Sequence, residues 1–237
     1  MKIKVIGTGS MWTKYNSACY LIDDDIMIDF PNGACKYLYR LDIMPKTINH
    51  ILLTHFHGDH YFDIPFYILN KSKSENKQAK IYCSKEGKTK INKIGNLAFP
   101  NSFKDACSVL DLKYIFKDDF FINDYEVNKL LVDHGRMKPA YGYLFKKNNI
   151  FVGFTGDTSL CKNVEFMASK CSYLFCDCMF IKGNRKHQGI DNLQYLSSTY
   201  PKCKFVVSHM EDDTREKLKK MKMKNIIIPY DGQKIFI

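Results

Sequence analysis

Arginine is scarce in this chain. Only four of its 36 basic residues are arginine, at positions 40, 136, 185 and 215, although the formal net charge is +11. A positive excess favours anionic ligands such as nucleotides. Because it is mostly lysine beside abundant Asn and Ile, it also reflects an AT-rich genome and assigns no phosphate-binding face by itself. Long apolar runs are missing as well. Nothing approaches the ~18–20 residues that a membrane-crossing helix needs, so a role spanning a bilayer is excluded. The opening Met1-Lys2-Ile3-Lys4-Val5-Ile6-Gly7 reads as a strand entering a glycine turn. It lacks the apolar stretch and small-residue cleavage site of a secretory signal, and the expected compartment is the cytoplasm. No Cys-x-x-Cys pair occurs among the nine cysteines. Their odd number and the length of the chain argue for reduced thiols packed as small apolar groups. There is no repeat, Pro-rich linker or low-complexity tail.

What is present suits one folded domain over residues 1–237, with 45% apolar residues to build a core. Patterning predicts strands at 3–6, 18–22, 26–30, 51–54, 81–83, 125–132, 141–145, 150–154, 173–176, 205–208, 225–228 and 234–237. Helices are expected at 33–41, 59–68, 85–94, 161–169, 192–199 and 213–221. The first half reads mostly as antiparallel hairpins, with turns such as Asp23-Asp24-Asp25. The second half alternates strands and helices. The expected class is α/β, an αββα sandwich of two sheets with helices outside.

Chemistry concentrates in one segment, Ile51-Leu52-Leu53-Thr54-His55-Phe56-His57-Gly58-Asp59-His60. An apolar strand delivers three histidines and an aspartate into a tight turn, with Gly58 permitting the bend and Asp59 placed to start a helix. Neutral imidazole and carboxylate are good zinc ligands. The other candidates also follow strands: His134 after Leu130-Leu131-Val132, Asp157 after Val152-Gly153-Phe154, and His209 after Phe205-Val206-Val207-Ser208. Side chains at the ends of neighbouring strands can meet at one sheet edge.

The ordered H-x-H-x-D-H, then His, Asp and His, resembles the metallo-β-lactamase superfamily over essentially the whole chain. That resemblance implies a two-metal centre, most simply two Zn2+, with Mn2+ fitting the same ligands. One ion would be held by His55, His57 and His134, the other by Asp59, His60 and His209, with Asp157 bridging. His at position 57, where diiron members carry Glu, favours hydrolysis over redox chemistry. Two divalent ions, two aspartates and one hydroxide leave about +1, a charge that attracts a phosphodiester monoanion.

Within the superfamily the chain is similar to the ribonuclease Z and related phosphodiesterase branch. Gly7-Thr8-Gly9-Ser10, Tyr15-Asn16-Ser17, Asp29-Phe30-Pro31-Asn32-Gly33, Pro139 with Gly142-Tyr143, and Tyr230-Asp231-Gly232 match that branch's turns. Two departures stand out. Only 22 residues separate His134 from Asp157, too few for the arm that grips tRNA. The branch's His-Glu-Ala-Thr motif reads Cys176-Asp177-Cys178-Met179, which leaves Asp177 to orient a histidine. His187 aligns with a further family histidine and is assigned as general acid; the other reading is an ordinary exposed histidine beside Arg185 and Lys186. The resemblance thus places His187, Asp177 and Asp59 among the catalytic residues.

An armless chain of this kind resembles the anti-Pycsar phosphodiesterases of phages and bacteria. The expected substrate is a small anionic cyclic nucleotide, the expected assembly a homodimer, and tRNA is disfavoured. For a phage gene the compartment would be the host cytoplasm. A tRNA 3′ endonuclease, an intracellular lactonase and a catalytically silent nucleotide sponge are the alternatives. Trp12, Tyr15, Tyr141 and Tyr143 offer rings for a base or for core and dimer contacts. Lys182, Arg185 and Lys186 would touch phosphate or form a solvated loop. Cys176 and Cys178 alternate with Asp177 on a strand and should face away from it.

Overall fold

The computed structural model describes residues 1–221 and 223–237. The chain divides into two compact units, and the division is not sequential. The first unit takes 1–7, 16–116 and 231–237; the second takes 8–15 and 117–230.

The first unit begins with β1 (Lys2–Gly7), β2 (Cys19–Ile22) and β3 (Ile26–Ile28), paired antiparallel. Asp23 and Asp24 both take positive φ, 47° and 59°, in the three-residue turn between the paired Ile22 and Ile26. The expected hairpins stop there. Strands β4 (His50–Leu52), β5 (Gln78–Tyr82) and β6 (Asp111–Ile115) continue the sheet in parallel from β3. Parallel pairing requires crossovers. These are supplied by α1 (Ala34–Arg40), α2 (Gly58–Tyr61) with α3 (Ile64–Lys71), and α4 (Lys85–Ala98) with α5 (Ser102–Val109). Leu38, Ile51, Tyr67, Ile81, Ile91 and Phe103 pack in their common core.

The expected 59–68 helix is two helices. Pro65 stands in the first turn of α3 behind Asp63. Pro65 has no N–H to bond the Tyr61 carbonyl one turn back, so α2 cannot run on through it. Helix α5 and strand β6 went unforeseen. α5 buries only Phe103 and Ala106, and β6 lies at the sheet edge with no fully buried residue. Neither therefore carries a strong apolar period.

In the second unit, β7 (Asp119–Ile122), β8 (Tyr125–His134), β9 (Met137–Lys147) and β10 (Ile150–Phe154) form an antiparallel meander. Another edge strand, β7, buries only Ile122 and was missed as well. After β10 the pairing turns parallel through β11 (Tyr173–Asp177), β12 (Lys204–Ser208) and β13 (Ile226–Ile227). The connections carry α6 (Lys162–Lys170), α7 (Ile190–Thr199) and α8 (Asp212–Lys220). Val164, Met167, Leu174, Leu196, Phe205 and Val207 fill the core beneath them. The last strand, β14 (Lys234–Phe236), pairs with β1 in the first unit. Among the described residues, no helix is long and apolar enough to cross a membrane.

Within the second unit, one buried cation bonds segment 8–15 to α8. Arg215, on α8 and 3% exposed, donates to the Pro229 carbonyl at 3.0 Å, the Thr8 carbonyl at 3.2 Å and Thr8 Oγ1 at 2.6 Å. Its guanidinium lies 4.0 Å from the centre of the Tyr15 ring. Arg215→Ala orphans the buried acceptors and loses the ring contact, which should cost about 2–4 kcal/mol in urea unfolding. Arg215→Lys should recover only a minor part, since an ammonium lacks the planar fork.

Candidate metal centre

Most of the ligand-type side chains sit at or just beyond the carboxyl ends of parallel-paired strands, the usual place for α/β sites; His134 ends the antiparallel β8, and His187 lies between β11 and α7. In the first unit, β4 runs through Leu53 and Thr54 into His55. The cap position of α2 falls to His57 rather than Asp59, and Asp59 lies inside the first turn. His55, Asp59 and His60 are buried, at 1%, 6% and 1% exposure. His55 Nε2 stands 3.0 Å from His57 Nδ1, and the His55 and His60 rings are 4.1 Å apart. Asp59 Oδ2 is 3.7 Å from His60 Nε2.

These rings are aimed by a residue whose role the sequence did not disclose. Asp29, buried and at φ 58°, accepts from the Thr54 N–H at 2.8 Å and from the Thr54 hydroxyl at 2.7 Å. Its Oδ2 also accepts from His60 Nδ1 at 2.8 Å. The Thr54 oxygen in turn lies 3.0 Å from His55 Nδ1. One carboxylate therefore fixes the proton on Nδ1 of two histidines and turns both Nε2 atoms outward. Burial holds the Asp29 carboxyl above the usual carboxylate range, opposed by His60 and the Thr54 bonds.

In the second unit, His134 ends β8, Asp157 follows β10, Asp177 ends β11 and His209 follows β12. Asp157, Asp177, His187 and His209 each place a ligand atom within 4.8 Å of the others. His209 Nε2 is 3.2 Å from Asp157 Oδ2. His187 Nδ1 is 2.9 Å from Asp177 Oδ2, and its ring stacks at 11° on His209 with centroids 5.2 Å apart. Asp177 is itself fixed by the Thr158 and Met179 N–H groups, both at 3.1 Å. Nδ1 of His134 donates to the Lys186 carbonyl at 2.8 Å. Burial holds the His134 imidazole below the ordinary histidine range, which favours the neutral, coordinating form.

The donor set fits a divalent metal on two counts. Two donors on one tetrahedral zinc, with bonds of about 2.0–2.1 Å, stand roughly 3.3 Å apart; the observed 3.0 Å and 3.2 Å edges are close to that. Metal-bound histidines also commonly give their second nitrogen to a carboxylate, carbonyl or other polar group, and His55, His60 and His134 all do so.

A family model, "Anti-Pycsar protein Apyc1", matches residues 1–229. The chain belongs to the anti-Pycsar Apyc1 family. Ribonuclease Z of Pyrococcus horikoshii is 30% identical over 124 residues, 52% of this chain but 39% of that protein. The match spans well under half the length of that relative. Among solved structures, the metallo-β-lactamase fold protein YhfI of Bacillus subtilis superposes with a TM-score of 0.78 at 16% identity, covering 99% of this chain and 98% of its own. The human short-form tRNase Z gives 0.77 at 16% identity, with 100% and 99% coverage. The Apyc1-family chain therefore has the metallo-β-lactamase fold, mixed α/β with two helix-flanked sheets, as its motif order implied.

The structure brings His55, His57, Asp59 and His60 together in the first unit, and His134, Asp157, Asp177, His187 and His209 together in the second. Expected substrate contacts fare differently. Tyr143 is fully buried, so its ring is a core group and offers no face to a base. Tyr141 is half-buried and carries the Lys129 ammonium 4.6 Å from its ring centre. Arg185 is exposed. Cys176 and Cys178 are buried in the apolar core with thiols pushed well above the ordinary range, away from Asp177's partners. Asp29 and the Lys186 carbonyl are the residues sequence reasoning missed.

Asp29→Ala should unlock His55 and His60 together and weaken metal uptake by about 10–100-fold. Competition with a chromophoric zinc chelator on metal-free protein measures it.

Proposed function

We propose that this Apyc1-family protein is a metal-dependent phosphodiesterase that opens small cyclic nucleotide phosphodiesters, with both sets of ligands serving one dizinc centre. In this reading one ion takes His55, His57 and His134, the other takes Asp59, His60 and His209, and Asp157 is shared. Bound there, the pair would polarise the phosphoryl oxygens and lower the pKa of water towards neutrality. Everything else falls to the chain. The observation that carries the reading is the His187–Asp177 pair, 2.9 Å long and set beside Asp157 and His209. Asp177 accepts from His187 Nδ1 and orients the ring, so that a proton on Nε2 can be handed to the ribose oxygen that leaves phosphorus.

Substrate size is argued from the same sheet. Residues 135–156, between His134 and Asp157, are taken up by β9, β10 and their turns, so no arm for tRNA extends from this point. The net charge of +11 favours an anion. A homodimer of such chains, carrying zinc or manganese, is the assembly this reading takes.

Purified protein loaded with zinc or manganese should hydrolyse at least one of 3′,5′-cAMP, cGMP, cCMP and cUMP or a cyclic oligonucleotide, and chelation should abolish it. Metal-loaded protein that leaves all of these intact would sink the substrate claim, and turnover of precursor tRNA or a lactone would replace it. Asp157→Ala should lose metal and activity together. His187→Ala should keep its metal yet lose about 10²–10⁴-fold in kcat where an alkoxide leaves. It should lose far less on bis(p-nitrophenyl) phosphate, because nitrophenolate departs without a proton.

A further inference from the structure

Between β11 and α7, residues 183–189 fold into a closed clip. The Asn184 side chain is its hub: Oδ1 accepts the backbone N–H of Lys186 at 2.8 Å and of His187 at 3.0 Å. The Asn184 N–H returns a bond to the His187 carbonyl at 2.9 Å. Both ends of the clip are pinned at the start of α7. Gly183 N–H donates to Asp191 Oδ1 at 2.8 Å, and Gly189 N–H donates to Asn192 Oδ1 at 3.1 Å. The ends also touch, since a Cβ on Gly189 would stand 2.2 Å from the Gly183 nitrogen. The clip lies on the turn after β8, where Gly135 has φ +62° and a Cβ would meet Lys186 Cγ at 3.0 Å.

This clip has two outputs. The Lys186 carbonyl accepts the His134 Nδ1 proton, and His187 places Nδ1 on Asp177. The Lys186 carbonyl and the His187 N–H belong to a single peptide plane, and a peptide plane does not bend. Asn184 grips that plane at its N–H; His134 is fixed by its C=O.

We propose that Asn184 is a positioning residue that, through the Lys186–His187 peptide, sets the tautomer of His134 and the place of His187 together. The proposal rests on the reading above, in which His134 holds metal and His187 supplies a proton. Asn184 is exposed, so its replacement leaves the core intact while freeing the peptide to rotate. Losing its acceptor should disturb metal binding and proton donation at once, two effects that a loop of purely structural value would not join.

The test compares Asn184→Ala, which removes the acceptor, with Asn184→Asp, which keeps it for both N–H groups. Zinc affinity is read on metal-free protein by chelator competition, and kcat at saturating zinc on a 3′,5′-cyclic nucleotide and on bis(p-nitrophenyl) phosphate. Asn184→Ala should bind one zinc equivalent about 10–100-fold more weakly. Its kcat should fall about 10-fold or more on the cyclic nucleotide and much less on the nitrophenyl ester, with KM and the unfolding midpoint of the metal-free protein little changed. Asn184→Asp should restore both. An alanine variant with wild-type zinc affinity and wild-type kcat overturns the proposal and leaves the function standing, as does failure of aspartate to restore them. A wild-type chain that takes up no zinc overturns both.

Discussion

A neutral imidazole carries one proton on two nitrogens, and whichever nitrogen holds it cannot bind a metal. The site depends on settling that choice before any ligand arrives. At His60 the proton is held on Nδ1 by Asp29, and at His134 by the Lys186 carbonyl. Thr54 does the same for His55, its own proton spent on Asp29 and its lone pair turned to the ring. In each case Nε2 is left bare. At His187 the partner is again a carboxylate, Asp177, as Asp29 is at His60. Asp177 orients that ring, whose Nε2 is the proton donor in the function proposed above.

This arrangement has a cost in the metal-free chain. Asp29, Asp59, Asp157 and Asp177 are all less than about a tenth exposed, and a buried carboxylate is unfavourable unless hydrogen-bonded or neutralised by a cation. Backbone N–H groups offset part of it at Asp29 and Asp177. Strand-end geometry explains why the rest is tolerated. Residues just past β4, β10, β11 and β12 are held by sheets whose cores are otherwise apolar, so the polar burial is confined to one edge of each sheet. A divalent ion drawn to such an edge binds the folded chain far better than the unfolded one, and metal binding then adds directly to folding stability.

How far all this was legible in the sequence depends on what kind of atom does the work. His55, His57, Asp59 and His60 crowd into six residues after an apolar strand, a density of donors that packing or capping alone does not call for. His134, Asp157 and His209 were readable because each follows a β-type run and the order of types is distinctive. Asp29 lay in plain view but reads as a turn residue, since its partners Thr54 and His60 stand 25 and 31 positions away. The Lys186 carbonyl is a backbone atom, which every residue possesses, so no letter in the sequence marks it. Tyr143 misled for a related reason. Alternation on β9 says that Tyr141 and Tyr143 share a face, but only packing says that one of them is sealed in the core. The parallel arrangement of β3 to β6 was hidden too: helices were expected at 33–41, 59–68 and 85–94, but edge strand β6, with no fully buried residue, was not.

The hairpin of β9 and β10 bears on substrate size through simple reach. Asn148 and Asn149, at φ 49° and 61°, close it with a two-residue turn, and the strands pair without interruption from Ile150–Lys147 to Phe154–Tyr143. Such a turn fixes register and leaves no slack. His134 enters this hairpin and Asp157 leaves it, so their separation is set by a rigid ladder. An inserted arm at this point would need a loop that the Asn148-Asn149 turn excludes. A long nucleic acid must gain its affinity from many phosphate contacts spread along its length, and an extended arm is one way to supply them. Without that reach, the function proposed above needs contacts close to the phosphorus itself, where a compact phosphodiester offers all of its charge.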